Sequence, residues 1–139
     1  DPASIVAALR GVDRALIVTP LAENRGELTR VMLRGAKEAG VSVVALVSSW
    51  TAAFDHHLFM DEFTAQEQLG AELWPHKFTA LRAGWFMPNF RDQASSIKST
   101  HKLFLCFPPT LRWPPVDTDD IGATAAAVLT AGGESEAAC

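Results

Sequence analysis

ALIVTPLAENRGELTRVMLRGAKEAGVSVVALVSS, residues 15–49, is the stretch of sequence that decides the fold. Residues 15–19 form a continuous apolar run, which is typical of a strand covered on both faces. Residues 23–39 place apolar and small side chains at helical spacing, and Gly40 is a natural helix stop. Residues 41–47 form a second, β-branched run. A strand, a helix and a strand joined by short loops predict a right-handed crossover, so we expect the two strands to be parallel.

The rest of the chain continues this alternation. A short helix is expected near residues 2–9, a third helix over 59–74, a third strand over 78–82 and a last helix over 118–130 with Thr118 or Asp119 as its cap. Between these, the sequence predicts a turn over 83–89, a loop or short helix over 91–102, a short strand over 102–107, and no regular structure around Pro108, Pro109, Pro114 and Pro115. We therefore expect an α/β fold with a Rossmann-like parallel sheet flanked by helices.

Composition and charge exclude several classes of protein. The 139 residues are 48% hydrophobic and carry a formal net charge of −4, which argues against a general binder of nucleic-acid backbones. No stretch approaches the ~20 apolar residues of a membrane helix, and residues 1–13 lack the basic start and apolar run of a signal peptide. We expect one domain over residues 1–131, a flexible tail over 132–139, a cytoplasmic location and no contact with membranes.

Four segments, taken in order, resemble one family of proteins. Residues 9–20 contain LRGVD, an apolar run and Pro20, and residues 36–49 run from AKEAGV into VSS. LRAGWFMPNF at 81–90 resembles Leu-Arg-Pro-x-x-Phe-Met-x-Asn, and VDTDDIGA at 116–123 resembles Val-Asp-x-x-Asp-Ile-Ala. Together they cover nearly the whole chain and resemble the NmrA-like group of atypical short-chain dehydrogenase/reductase folds.

The resemblance implies a Rossmann domain that binds NADP(H) or NAD(H), and a redox-responsive binder or a weak reductase of a small acceptor such as a quinone. It places Thr19 and Pro20 at the carboxyl end of a strand beside the cofactor. Ser48 and Ser49 would stand at the next strand end, near the nicotinamide ribose. Residues 83–89 would wall the substrate cleft, which the resemblance builds from Trp85, Phe86, Met87 and Asn89.

The chain lacks the glycine loop of that family, and it lacks the Tyr-x-x-x-Lys pair of typical short-chain dehydrogenases, which many NmrA-like proteins also lack. It contains no Gly-x-Gly-x-x-Gly or Gly-x-x-Gly-x-x-Gly loop, so we expect the leading βαβ part that cradles a pyrophosphate to be missing. It also contains no tyrosine, and Met60 and Thr64 stand where a Tyr-x-x-x-Lys pair would fall. An alternative function therefore stays open: a truncated product without cofactor binding, which acts as an interaction module or has no function.

Several residues allow both a functional and a structural interpretation. Ser48 and Ser49 either contact a ribose or substrate or satisfy the end of a strand. Trp85, Phe86 and Met87 either stack on a nicotinamide or quinone ring or pack in the core. We expect Arg82 to orient a loop by pairing with a carboxylate, Asp117 or Asp119.

Two further groups of residues favour structural roles. Asp55, His56 and His57 lie near Asp61 and Glu62, but His-x-x-x-His spacing is absent, so we expect a solvated loop and no metal site. Cys106 lies in an apolar run, which favours a buried, inert thiol.

The missing leading part predicts an exposed sheet edge. In the strand order 3-2-1-4-5-6, residues 15–19 pair with the first strand, so without that strand they form an apolar edge that invites pairing with another chain. We predict that the 139-residue chain dimerises through this strand, aggregates or is poorly stable. Sedimentation velocity combined with urea unfolding checks this, and a clean monomer with a two-state transition would contradict it.

Overall fold

The structure, a computed structural model, describes residues 1–53, 60–104, 110 and 112–131 and contains a three-stranded parallel sheet flanked by helices. The strands β1 (Arg14–Ile17), β2 (Val43–Ser49) and β3 (Phe78–Ala83) lie in the order β1-β2-β3. The helices are α1 (Pro2–Ala8), α2 (Arg25–Glu38), α3 (Met60–Leu73), α4 (Ala94–Thr100) and α5 (Thr118–Thr130). The predicted α/β class and parallel crossover are confirmed.

The core lies between the sheet and helices α2 and α3. β2 is the central strand, and its residues Val44 and Leu46 are fully buried together with Leu33 of α2. Full burial of each such side chain stabilises the fold by roughly 1.5–3 kcal/mol. Trp74 closes the core at the end of α3, where its indole N–H donates to the carbonyl of Val41 at 2.7 Å. Apolar packing against α2 and α3 therefore positions the sheet.

The prediction that residues 15–19 are covered on both faces is wrong. β1 ends at Ile17, and its burial alternates: Ala15 and Ile17 face the core, whereas Leu16 and Val18 are 41% and 51% exposed. α5 lies against this second face, but it is rich in alanine and buries only Ala125. Such small side chains do not reach far enough to cover Leu16 and Val18. Within the described residues β1 is also an edge strand. The self-association that we predicted through this strand stays a prediction.

The ends of α5 are fixed by polar contacts. The predicted cap at Thr118 or Asp119 is wrong, since the cap is Asp117, whose carboxylate accepts from the backbone N–H of Asp119 at 3.1 Å. At the other end, the guanidinium of Arg14 donates to the last carbonyls of the helix, including that of Thr130 at 3.0 Å. A cation at a helix C-terminus also complements the helix dipole. These polar contacts fix both ends of α5.

A second, two-stranded parallel sheet follows β3. β4 (Trp85–Phe86) pairs with β5 (Pro115–Val116), and a 3-10 segment (Met87–Gln93) leads from β4 into α4. The prediction that Pro114 and Pro115 exclude regular structure is wrong, because Pro115 begins an edge strand, where its missing N–H is not needed. Gly84 permits the approach of the two segments, since a Cβ there would lie 1.6 Å from the carbonyl oxygen of Pro114.

Some expectations lie outside the described residues. These are the loop with Asp55, His56 and His57, the thiol of Cys106 and the tail over 132–139. In the part of the chain that the structure describes, no group of three histidine, cysteine or acidic residues could hold a metal ion. No described helix has the length and apolar character needed to cross a membrane.

Two glycines in helices provide a matched test of the packing between α3 and β3. A Cβ at Gly70 would lie 2.2 Å from the ring of Phe78, whereas a Cβ at Gly122 of α5 would meet nothing within 4 Å. We expect Gly70→Ala to lower the free energy of unfolding by about 1–3 kcal/mol through overpacking. Gly122→Ala should raise it by about 0.5–1 kcal/mol through helix propensity. Urea unfolding measures both, and equal effects would contradict the packing described.

Candidate functional site

The four residues predicted to bind the cofactor lie at the carboxyl edge of the parallel sheet. Ser48 and Ser49 are the last two residues of β2, and Ser48 is in register with Arg82 of β3. Thr19 and Pro20 follow the end of β1. In open α/β sheets ligands bind outside the carboxyl ends of the strands, so this edge is the candidate site.

A largely buried carboxylate, that of Glu67, joins the ends of β2 and β3 to α3. The Ser48 hydroxyl donates to Glu67 Oε1 at 2.5 Å, and Arg82 donates to the same carboxylate through Nε at 3.1 Å and Nη2 at 2.7 Å. The side chain of Glu67 is only 12% exposed, and its charge-assisted hydrogen bonds compensate for that burial. The expected pairing of Arg82 with Asp117 or Asp119 is therefore wrong. Ser48 and Arg82 share the sheet face covered by α3, which brings both to Glu67.

Ser49 points to the opposite face of the sheet from Ser48, because successive side chains of a strand alternate. Its hydroxyl lies 2.8 Å from that of Thr51 and accepts from the Thr51 backbone N–H at 3.2 Å. Both residues are half-buried, at the start of a 3-10 segment (Trp50–Ala53). The end of β2 and the start of this segment thus carry a hydrogen-bonded pair of hydroxyl groups.

The end of β1 is tied to α2 by two threonines. The Thr19 and Thr29 hydroxyls lie 3.0 Å apart, and Thr29, which is fully buried, donates its hydrogen to the carbonyl of Arg25 at 2.9 Å. Thr19 is therefore the donor to Thr29, and its oxygen can still accept. Pro20 is exposed beside it.

A buried arginine links the first turns of α2 and α3. Arg25, 7% exposed in its side chain, pairs with Glu62 at 3.0 Å and lies over the ring of Phe63 at 3.7 Å from the centroid. The amide of Gln66 also donates to Glu62 at 3.3 Å. These contacts fix the start of α3, where Thr64 is half-buried, beside the carboxyl edge.

Three aromatic rings pack together beyond the end of β3, and we call them the aromatic cluster: Trp85, Phe90 and Trp113. The rings of Trp85 and Trp113 meet edge to face at 6.3 Å between centroids, and those of Phe90 and Trp113 lie 5.9 Å apart. Of the other predicted cleft residues, Phe86 and Asn89 are half-buried and Met87 is 46% exposed. The predicted cleft segment therefore lies next to packed aromatic rings, and its role as a substrate cleft stays a prediction.

Sequence reasoning missed Glu67 and Trp113 as members of this region. One feature of the sequence could have identified Glu67: it lies near the apolar face of the predicted third helix, where a charged side chain needs a partner. No feature of the sequence could have identified Trp113, because it is the pairing of β5 with β4 that brings it to Trp85.

A cavity of about 450 Å³ lies at the opposite, amino edge of the sheet. Its lining includes Lys37, Ser42 and Lys77, and Lys37 donates to the carbonyl of Leu73, which closes the end of α3. Nearby, hydrogen bonds from Ser42 and Arg14 lower the pKa of Asp13. Because ligands of open α/β sheets bind at the carboxyl edge, we do not assign this cavity to the candidate site.

Comparisons with known proteins agree with this fold. No family model matches the chain. A curated relative, the NAD(P)H azoreductase of Xenophilus azovorans, is 27% identical over 139 residues, which are 99% of this chain and 48% of the relative. The chain thus spans about half the length of the curated relative that it matches.

Solved structures show the same likeness. The NADPH-dependent quinone oxidoreductase of Escherichia coli, complexed with NADPH, matches with a TM-score of 0.59 and 28% identity over 69% of this chain and 34% of its own. A dTDP-glucose 4,6-dehydratase of Streptomyces venezuelae, with NAD bound, matches with a TM-score of 0.69 over 95% of this chain and 52% of its own, but at 16% identity it shows the fold alone. The Rossmann-like fold is confirmed, and the two relatives at 27–28% identity are an NAD(P)H azoreductase and an NADPH-dependent quinone oxidoreductase; the NmrA-like assignment stays a prediction.

The carboxylate of Glu67 makes a testable contribution to stability. Glu67→Gln keeps an acceptor for Ser48 but removes the ion pair with Arg82, and Arg82 is itself half-exposed. We expect a loss of about 2 kcal/mol in the free energy of unfolding. The control Glu27→Gln, in the exposed pair with Arg30, should cost about 0.5 kcal/mol. Urea unfolding distinguishes the two, and a loss at Glu67 no larger than that at Glu27 would contradict this account.

Proposed function

We propose that this chain forms part of an NmrA-like protein that binds NADP(H) or NAD(H) and acts as a redox-responsive binder or a weak reductase of a small acceptor such as a quinone. The single observation that carries the proposal is the hydroxyl-lined carboxyl edge, built by Thr19, Ser49 and Thr51, on a Rossmann-like sheet. The names of the relatives, an NAD(P)H azoreductase and an NADPH-dependent quinone oxidoreductase, support the reductase class.

The described residues fit one part of a dinucleotide. Hydroxyl groups at strand ends suit the hydroxyls of a ribose, and we assign this contact to Thr19 and Ser49, with Pro20 packing beside them. Ser48 would not contact the ribose directly, because its hydroxyl is hydrogen-bonded to Glu67. A pyrophosphate has no counterpart here, since the sequence contains no glycine-rich loop.

The cofactor would supply the hydride, and the chain would position the two reactants. Trp85, Phe86, Met87 and Asn89 would wall the acceptor, with apolar and aromatic side chains suited to a planar ring. The sequence has no tyrosine to donate a proton to the reduced acceptor. We therefore expect slow turnover.

A second candidate function is an interaction module without cofactor. The observation that favours it is the exposed apolar surface at β1, an edge strand of the described sheet: Leu16 of this strand and Val18, which directly follows it, are both exposed. Such an edge pairs readily with another strand, including that of a second copy. In this case the chain would contact a protein partner in place of a nucleotide.

Calorimetric titration of the folded chain with NADPH and then NADH separates the two candidates. The first predicts saturable micromolar binding that Ser49→Ala weakens by about two- to tenfold, the value of one hydrogen bond. The control Ser95→Ala, on exposed α4, should leave affinity unchanged. Absence of heat from a sample shown to be folded would contradict cofactor binding and favour the interaction module.

A further inference from the structure

The end of β2 has less support from the sheet than the rest of the strand. Burial places this end at the carboxyl edge, but the fully buried apolar side chains stop at Leu46. The ladder between β1 and β2 also stops at Leu46, whereas the ladder between β2 and β3 continues to Ser49. Within the described sheet, Ser48 and Ser49 are therefore paired on one edge only. Strand ends with few contacts open locally most easily, so a side-chain tether has its largest effect here.

Glu67 supplies such a tether to two strands at once. Its carboxylate accepts from Ser48 Oγ at 2.5 Å and from Arg82 Nη2 at 2.7 Å. Ser48 and Arg82 are opposite each other in the ladder between β2 and β3. Charge-assisted hydrogen bonds of this kind are roughly twice as strong as those between neutral groups. Because α3 packs against α2 and against both strands, the tether starts from a firmly held helix.

The two tethered strand ends lead to different parts of the proposed site. Ser49, which we assigned to the ribose, directly follows Ser48. Trp85, which begins the segment assigned to the acceptor, comes three residues after Arg82. The spacing between the two parts therefore depends on the two arms that meet at Glu67. This spacing matters for hydride transfer, because a displacement of about 1 Å between reactants can slow a reaction on the order of a hundredfold.

We propose that Glu67 is a positioning residue, which touches no ligand and sets the spacing between the cofactor side and the acceptor side of the carboxyl edge. It acts through Ser48 on the hydroxyl of Ser49, and through Arg82 on the segment that follows β3. This role rests on the proposed function, since it assumes a nucleotide at this edge. The arrangement of the two strand ends does not need a nucleotide and is also measured without one.

Calorimetric titration of folded variants with NADPH tests the arm to β2. We expect Ser48→Ala to weaken binding by about two- to tenfold, the value of the one hydrogen bond from Ser49 that it displaces. Added to Ser49→Ala, it should weaken binding no further, because a residue that acts through Ser49 loses its effect once that hydroxyl is gone. The control Trp74→Phe removes a buried hydrogen bond at the amino edge, so it should destabilise the fold and leave the affinity unchanged.

Amide chemical shifts of the chain without nucleotide measure both arms directly. Glu67→Met keeps the length of the side chain and removes the carboxylate, so shifts should change at both Ser49 and Trp85. In Ser48→Ala they should change at Ser49 alone, and in Trp74→Phe at neither position. A merely stabilising role would make Glu67→Met resemble Trp74→Phe in these shifts and in its affinity for NADPH.

Glu67→Gln provides the same test if Glu67→Met does not fold. It keeps an acceptor for Ser48 and removes the ion pair with Arg82. We therefore expect a changed shift at Trp85, together with an unchanged shift at Ser49 and unchanged affinity for NADPH.

Additive losses of affinity in Ser48→Ala and Ser49→Ala would overturn the proposal, because Ser48 would then meet the nucleotide by itself. An unchanged shift at Trp85 in a folded Glu67 variant would overturn it as well. Failure of the proposed function gives a different result. A chain that binds no NADPH but shows the expected shifts would support the tether and contradict nucleotide binding. NADPH binding without those shifts would support the proposed function and contradict the role of Glu67.

Discussion

Burial of β2 on both of its faces is the constraint on which the rest of the structure depends. Val43, Val44, Ala45 and Leu46 are each at most 4% exposed, so the strand needs a neighbour on each edge and a helical layer on each face. β1 and β3 supply the edges, α2 and α3 cover one face, and α5 covers the other. Because the strand is apolar on both faces, it cannot turn or shift without exposing buried side chains. The positions of its last residues, Ser48 and Ser49, at the carboxyl edge are therefore fixed.

The candidate site uses this fixed strand end in two ways. On the α3 side, the Ser48 hydroxyl is bound to the carboxylate that also holds Arg82, so this side is closed by a satisfied polar network. Ser49 points to the other face of the strand, and its hydroxyl contacts the hydroxyl and the backbone N–H of Thr51. Two adjacent serines thus have different surroundings because a strand alternates its side chains: Ser48 is held in the polar network, and Ser49 is the one that we propose for contact with a ligand.

The sequence was sufficient to predict the elements that depend on local pattern. The parallel crossover, α2, α3 and β3 follow from periodicity and from stops such as Gly40, whose φ is +85°. It was insufficient wherever a distant segment decides the outcome. Leu16 and Val18 are exposed because the small side chains of α5 do not cover them. Pro115 lies in a strand because Gly84 lets β4 and β5 approach each other. Arg82 binds Glu67 because the ends of β2 and β3 meet α3. The position of Glu67 near the apolar face of its helix indicates that it needs a partner, but no single stretch of chain identifies the partner in any of these cases.

The central claim, that the ligand edge of this chain is the carboxyl edge of its parallel sheet, is tested most directly by amide chemical shifts during titration with NADPH. The account predicts saturable shifts at Thr19, Ser49 and Thr51, at the strand ends, and unchanged shifts around Lys37, Ser42 and Lys77 at the amino edge. Shifts confined to the amino-edge cavity, with the strand ends unchanged, would contradict it.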